Sequence, residues 1–224
     1  MDELEKLYQY LSRFLSESRT QRFEEVLRWR TCHFTVAVED IYQQHNASAI
    51  IRTCDCLGIQ DISVMERGNE FKLAKGMARG AEKWVDVQYY SEPPLTNSVT
   101  ACLDSLKSQG YQIAAAAPHY DQQKPQSFDI QVRTAFFFGH EKYGLSEEVI
   151  ERADQRIAIP AFGFTESYNV SVAAALLLYE LTARLHQSTE INWQLSEDKK
   201  MEKRVDWAKK SILNVEKILE RYSQ

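Results

Sequence analysis

The chain has 224 residues, 44% of them hydrophobic, enough to bury a substantial core in one or two domains. Its net charge is −5, from 27 Lys+Arg against 32 Asp+Glu, so any nucleic-acid site has to be a local basic patch rather than a global bias. No run of 18 apolar residues occurs, and Met1–Arg30 lacks the charged-then-apolar pattern of a secretory signal, so neither a membrane span nor export is expected.

Residues 3–16 and 18–30 predict two amphipathic helices, with Leu4, Leu7, Tyr8, Leu11 and Leu15 at helical spacing and a cap within Ser16–Thr20. From residue 34 the pattern changes. Strands are predicted at Phe34–Val38, Asp61–Met65, Val85–Tyr90, Tyr111–Ala115, Ala135–Phe138 and Arg156–Ile159. Helices are predicted at Ala47–Leu57, Val99–Lys107 and Asn169–Leu185, and a last amphipathic helix at Val205–Tyr222. Strands alternating with helices imply an α/β fold with a mostly parallel sheet and helices on both faces. The expected organisation is a helical extension over 1–33, a core over 34–186 and a second helical extension over 187–224. The four cysteines, Cys32, Cys54, Cys56 and Cys102, form no CxxC pair and no zinc-spaced cluster. Free thiols, a reducing cytoplasm and no metal are expected.

Three segments carry candidate chemistry. The first, His45–Gly58, follows the first strand and holds Asn46 and, six residues on, Arg52. The second, Phe136–Glu148, runs from a strand through Gly139, Glu141 and Gly144 to a helix that Ser146 can cap. Gly139 permits a close backbone approach to a ligand. The third, Ile159–Glu180, passes from Ile-Pro through a loop to Ser167-Tyr-Asn169 and a helix apolar nearly all round. Such a helix is expected to be buried on most sides, or packed on a second subunit. Each segment also has an ordinary reading: Asn46 as a helix cap with Arg52 on the surface, Glu141 as a solvated turn residue, Ser167 as a cap on a core helix.

Taken together and in this order, the segments resemble the SPOUT-class RNA methyltransferases of the TrmH type. Asn46 and Arg52 match that family's Asn-x5-Arg. Phe138-Gly-His-Glu-Lys-Tyr-Gly-Leu matches its second motif, and Ser167-Tyr-Asn-Val-Ser-Val-Ala its third, with Tyr168 where the family usually has Leu. The match spans roughly residues 34–186. The flanking stretches Trp207-Ala-Lys-Lys-Ser and Glu216–Tyr222 resemble the subgroup that methylates a tRNA D-loop guanosine.

The resemblance implies a deep trefoil knot, a homodimer with the site assembled across its interface, and transfer of a methyl group from S-adenosylmethionine to a ribose 2′-hydroxyl of RNA. It implies a cofactor held by loops centred on Ala116, Gly139 and Ile159, with Tyr168 beside them. Arg52 corresponds to the catalytic arginine, Asn46 and Glu141 to site-organising residues near the dimer contact, and Ser167 and Asn169 to groups that bond substrate or cofactor. The guanidinium is always protonated, so a positional and charge-stabilising role is expected rather than a base. RNA contact is expected from Arg13, Arg19, Arg22, Arg28 and Arg30, from the Lys/Arg of 199–210, and from Lys72, Lys75, Arg79 and Lys83. The competing expectations are a ribosomal-RNA methyltransferase, a catalytically silent RNA-binding relative, and a Rossmann oxidoreductase. The last requires Gly-x-Gly-x-x-Gly where Gln43-Gln-His-Asn-Ala-Ser stands.

Overall fold

The structure, a computed structural model, describes residues 3–118 and 123–222. They divide into two compact units: Thr31–Trp193, and the two chain ends up to Arg30 and from Gln194 onward.

The larger unit is built on six strands, β1 (Phe34–Glu39), β2 (Asp61–Glu66), β3 (Asp86–Ser91), β4 (Gln112–Ala116), β5 (Thr134–Phe138) and β6 (Gln155–Ile157). They form one sheet in the order β3-β2-β1-β5-β4-β6, with every pairing parallel. Side chains alternate across a strand, and the hydrophobic residues sort by parity. Phe34, Val36 and Val38 of β1, with Phe136 and Phe138 of β5, share one core with α3 (Gln44–Leu57) and α6 (Val170–Gln187). Ala37, Ala135 and Phe137 point the other way, toward α4 (Ser98–Ser108) and Val149 of α5 (Glu147–Arg152). Helices therefore cover both faces, which is why the central strands β1 and β5 are buried along their whole length.

The smaller unit holds α1 (Glu3–Ser12), α2 (Glu17–Leu27), α7 (Glu197–Ser211) and α8 (Val215–Tyr222). Ser16 caps α2, its hydroxyl accepting from the Arg19 amide at 3.3 Å. Phe23 meets Trp207 edge-on at 5.6 Å, and the Arg30 guanidinium sits over the Trp207 ring at 5.4 Å. Arg204 grips both oxygens of Glu24, at 2.7 and 2.8 Å. The two chain ends thus form one helical unit rather than two separate arms. The expected single last helix is broken at Ile212–Asn214, where Asn214 takes φ 54° and Leu213 is exposed.

Leu178, in the middle of α6, is fully buried. Leu178→Ala is expected to cost about 2–5 kcal/mol. Urea unfolding should show a lowered midpoint at an unchanged slope.

Candidate active site

Chain order reverses beside β1: β2 and β3 step outward on one side of it, while β5, β4 and β6 lie on the other. The carboxyl ends of the strands are the usual ligand side of an open parallel sheet, and the crevice lies among the exits of β4, β5 and β6. Here it is a cavity of about 270 Å³. Ala116 and Ala117 after β4, Gly139 to Gly144 after β5, and Ile157 to Ile159 after β6 wall it, with Ser167 and Tyr168 on the remaining side. Backbone bonds lock these loops together. The Ala117 amide donates to Ile157 at 3.2 Å, and Gln123 bridges the same strand through Arg156 and Ala158. Ile159, expected within the last strand, lies two residues past its end.

Gly139 is needed for a reason the sequence did not reveal. A Cβ there would lie 2.2–2.3 Å from backbone atoms of Gly144 and Leu145. The missing side chain makes room for the chain's own turn, which closes through reciprocal His140 and Gly144 bonds of 3.0 and 2.8 Å. Gly144 completes it at φ 69°.

Asn46 is not a helix cap. The helix starts at Gln44, and Asn46 lies within its first turn, 4% exposed. Its amide nitrogen donates to Glu141 Oε1 at 2.9 Å and to Gln43 Oε1 at 3.3 Å. Glu141 also accepts the backbone amides of Gln43 and Tyr42, at 3.0 and 3.1 Å. On its other side Asn46 Oδ1 faces the Ser171 hydroxyl at 3.2 Å, and that hydroxyl also reaches Asn169 Oδ1 at 2.7 Å. One proton serves both acceptors, and the shorter contact is the stronger. Asn169 rather than Ser167 caps α6, accepting from the Ser171 and Val172 amides. Asn46, Glu141 and Asn169 therefore belong to one hydrogen-bonded cluster, linked by Ser171. Ser171 was not among the sequence candidates. Its signal was its place two residues after Asn169 in the third motif.

Ser167 stands exposed at the cavity wall. The Tyr168 ring lines the cavity while its hydroxyl donates back to the Pro160 carbonyl at 3.3 Å, closing the loop between them. Arg52 does not line the cavity of its own chain and is exposed on α3. Among the expected RNA-contacting bases, Arg30 is 1% exposed and Arg204 is held by Glu24, so neither is placed to grip phosphate. Arg13, Arg19, Arg22 and Arg28 are exposed or half-buried, as are Lys72, Lys75, Arg79 and Lys83. Among the described residues no helix is long and apolar enough to cross a membrane, and no His/Cys/Asp/Glu group could hold a metal ion.

An all-parallel sheet with helices on both faces and a loop-walled crevice at its strand exits defines a doubly wound α/β protein. The model of the SpoU rRNA Methylase family matches residues 33–179, and the chain belongs to that family. A Borreliella burgdorferi protein named tRNA (guanosine(18)-2′-O)-methyltransferase is 36% identical over 213 residues, covering 95% of this chain and 94% of the relative. A Thermus thermophilus protein of the same name is 36% identical over 74% of this chain and 82% of its own length. The crystal structure of the Aquifex aeolicus TrmH/SpoU tRNA modifying enzyme superposes with a TM-score of 0.77 at 30% identity, over 88% of this chain and 98% of that one.

Burial works to raise the Glu141 carboxyl, but hydrogen bonds from Asn46 and from backbone amides, those of Gln43 and Tyr42 among them, outweigh it and hold the group below its ordinary value of 4.5. A depressed folded-state value stabilises the fold above the ordinary carboxylate range. That stabilisation is lost as pH falls through the folded value. Glu141→Gln should therefore be less stable than wild type at neutral pH, and the difference should shrink below about pH 4.5 in paired urea titrations.

Proposed function

We propose that the protein transfers a methyl group from S-adenosylmethionine to the ribose 2′-hydroxyl of a tRNA guanosine, the reaction named for its relatives from Borreliella burgdorferi and Thermus thermophilus. The second and third motifs meet at one cavity and the first is tied to them through the Asn46–Glu141 bond, and this arrangement carries the reading. That cavity fits an adenosyl ligand. Phe138, Ile157 and Leu177 give it an apolar floor, and the main-chain edges of three loops give it polar walls. Its volume stands at the small end of ligand pockets, which run ~300–1,000 Å³. Ala116, Gly139 and Ile159 would hold the cofactor through their backbones, with the Tyr168 ring against its flat face. Bound there, the cofactor supplies an electrophilic methyl group on a sulfonium.

The chain's own residues then have separable tasks. The Asn46–Glu141 cluster fixes the loops after β1 and β5. Ser167 offers a hydrogen bond at the cavity wall, and Asn169, capping α6 beside it, a second. Arg52 binds the RNA backbone, orients the hydroxyl and stabilises the charge it develops, and the proton passes to the adjacent phosphate. Orientation of this kind supplies up to about 7–11 kcal/mol in well-aligned systems.

Because Arg52 lies outside its own cavity, we assign it to the cavity of a second copy in a homodimer. The stripe Val172, Leu176 and Tyr179 on α6, exposed by 45%, 47% and 66%, supports that contact, since α6 packs beside the helix that carries Arg52. The family's trefoil knot is part of the same proposal; the return of the chain at Gln123 to bridge Ile157 supports it. Cytoplasmic action fits four free cysteines. We further assign RNA contact beyond the site to the helical unit, through Arg13, Arg19 and Arg28, against the alternative of a ribosomal substrate.

Arg52→Ala should lower kcat for methyl transfer to a tRNA transcript by about 100-fold or more, the range for loss of one charge-stabilising donor. The affinity for S-adenosylmethionine, read by calorimetry, should change little. Mixing Arg52→Ala subunits with subunits whose cavity is filled by Ile159→Trp should restore activity that neither variant has alone. Absence of any labelled methyl on tRNA ribose with wild-type protein would reject the activity.

A further inference from the structure

Beside the cavity, three rings form a continuous surface that neither hydrophobic core uses. Tyr42 follows β1, while His140 and Tyr143 belong to the turn after β5. The Tyr42 and His140 rings lie nearly parallel, 20° apart with centroids at 6.3 Å. His140 meets Tyr143 at 4.8 Å, and Lys142 Nζ stands 5.1 Å from the Tyr143 ring. Tyr42 and Tyr143 are 66% and 74% exposed, so most of their area faces solvent. The Tyr42 backbone and the His140 ring are nevertheless anchored. The Tyr42 amide is held by Glu141, and His140 Nδ1 accepts the Lys142 amide at 2.9 Å. Aromatic rings carried on anchored backbone and left uncovered mark a contact surface.

His140 and Tyr143 also line the cavity. If a ribose 2′-oxygen meets its methyl donor there, the nucleobase follows closely, because C1′, which carries the base, is bonded to C2′. Resting on the activity proposed above, we infer that Tyr42, His140 and Tyr143 form a stacking platform for the nucleobase of the acceptor nucleotide. Lys142 sets a cation at its edge, suited to the flanking phosphate. Composition favours RNA over a second copy of the chain as the occupant. Unpaired bases are taken up on aromatic faces beside cations. The exposed stripe of α6, by contrast, is mainly aliphatic, Val172 and Leu176 with the single ring of Tyr179.

The test is a double-mutant cycle on binding. Affinities of wild type, Tyr143→Ala and Tyr143→Phe are measured for a tRNA transcript and for the same RNA made abasic at the acceptor nucleotide. Removing the ring should weaken binding of intact RNA about tenfold, within the range for one base–aromatic stack. It should have little further effect on the abasic RNA, because the two losses share one contact. Tyr143→Phe keeps the ring face and should bind as wild type does. Equal losses on both RNAs, unchanged affinity for intact RNA, or a changed native mass of Tyr143→Ala would each overturn the platform. Wild-type protein that binds tRNA but transfers no methyl group would remove the activity while leaving this cycle readable.

Discussion

The site depends on one contact, the hydrogen bond from the buried amide of Asn46 to the Glu141 carboxylate. A partly buried carboxylate needs donors, and Glu141 finds them in the side chain of one motif and in two amides of the loop after β1. Those bonds join the exits of β1 and β5, the two central strands. They also leave Asn46 Oδ1 facing α6, where an unmet buried acceptor would cost about 1–3 kcal/mol. The Ser171 hydroxyl meets it, and Ser171 is in turn tied to the residue that caps α6. Three stretches far apart in sequence are thus held by the same small set of polar atoms, and removing any one leaves a partner unsatisfied.

The sheet explains why those stretches meet. With all strands parallel, every strand exit emerges on the same edge. With β5 placed between β1 and β4, the exits of β1, β5, β4 and β6 become neighbours although β2 and β3 intervene in the chain. The parity of the hydrophobic residues then fixes the layers. Even-numbered residues of β1 and β5 face α3 and α6, the two helices that carry Asn46 and Ser171. A one-residue slip of register would turn Phe136 and Phe138 to the opposite face and withdraw the support beneath both helices.

Much of this was legible in the sequence. Strand-like runs of four to six residues between turn signals located all six strands to within two residues at either end, and Ser16 and Ser146 announced helix starts that the structure has. Asn46 was harder. An Asn just after a polar loop signals a cap, and only the distant Glu141 shows that its side chain turns inward instead. Periodicity suggested that α6 is buried on most sides, yet it leaves Val172, Leu176 and Tyr179 outside, because composition records hydrophobicity and not what covers it. The basic residues were the least legible. Arg30 and Arg204 look like surface charge when read by position alone and are in fact internal struts of the helical unit.

Arg52 follows from helix geometry once Asn46 is placed. Six residues of α-helix turn through about 600°, so the two side chains leave the axis about 120° apart. The two side chains therefore face different surroundings on α3, which runs unbroken from Gln44 to Leu57. With Asn46 turned inward to hold Glu141, Arg52 is directed away from the site that its own motif organises. That direction is the geometric ground for the proposal that Arg52 serves the cavity of a second copy.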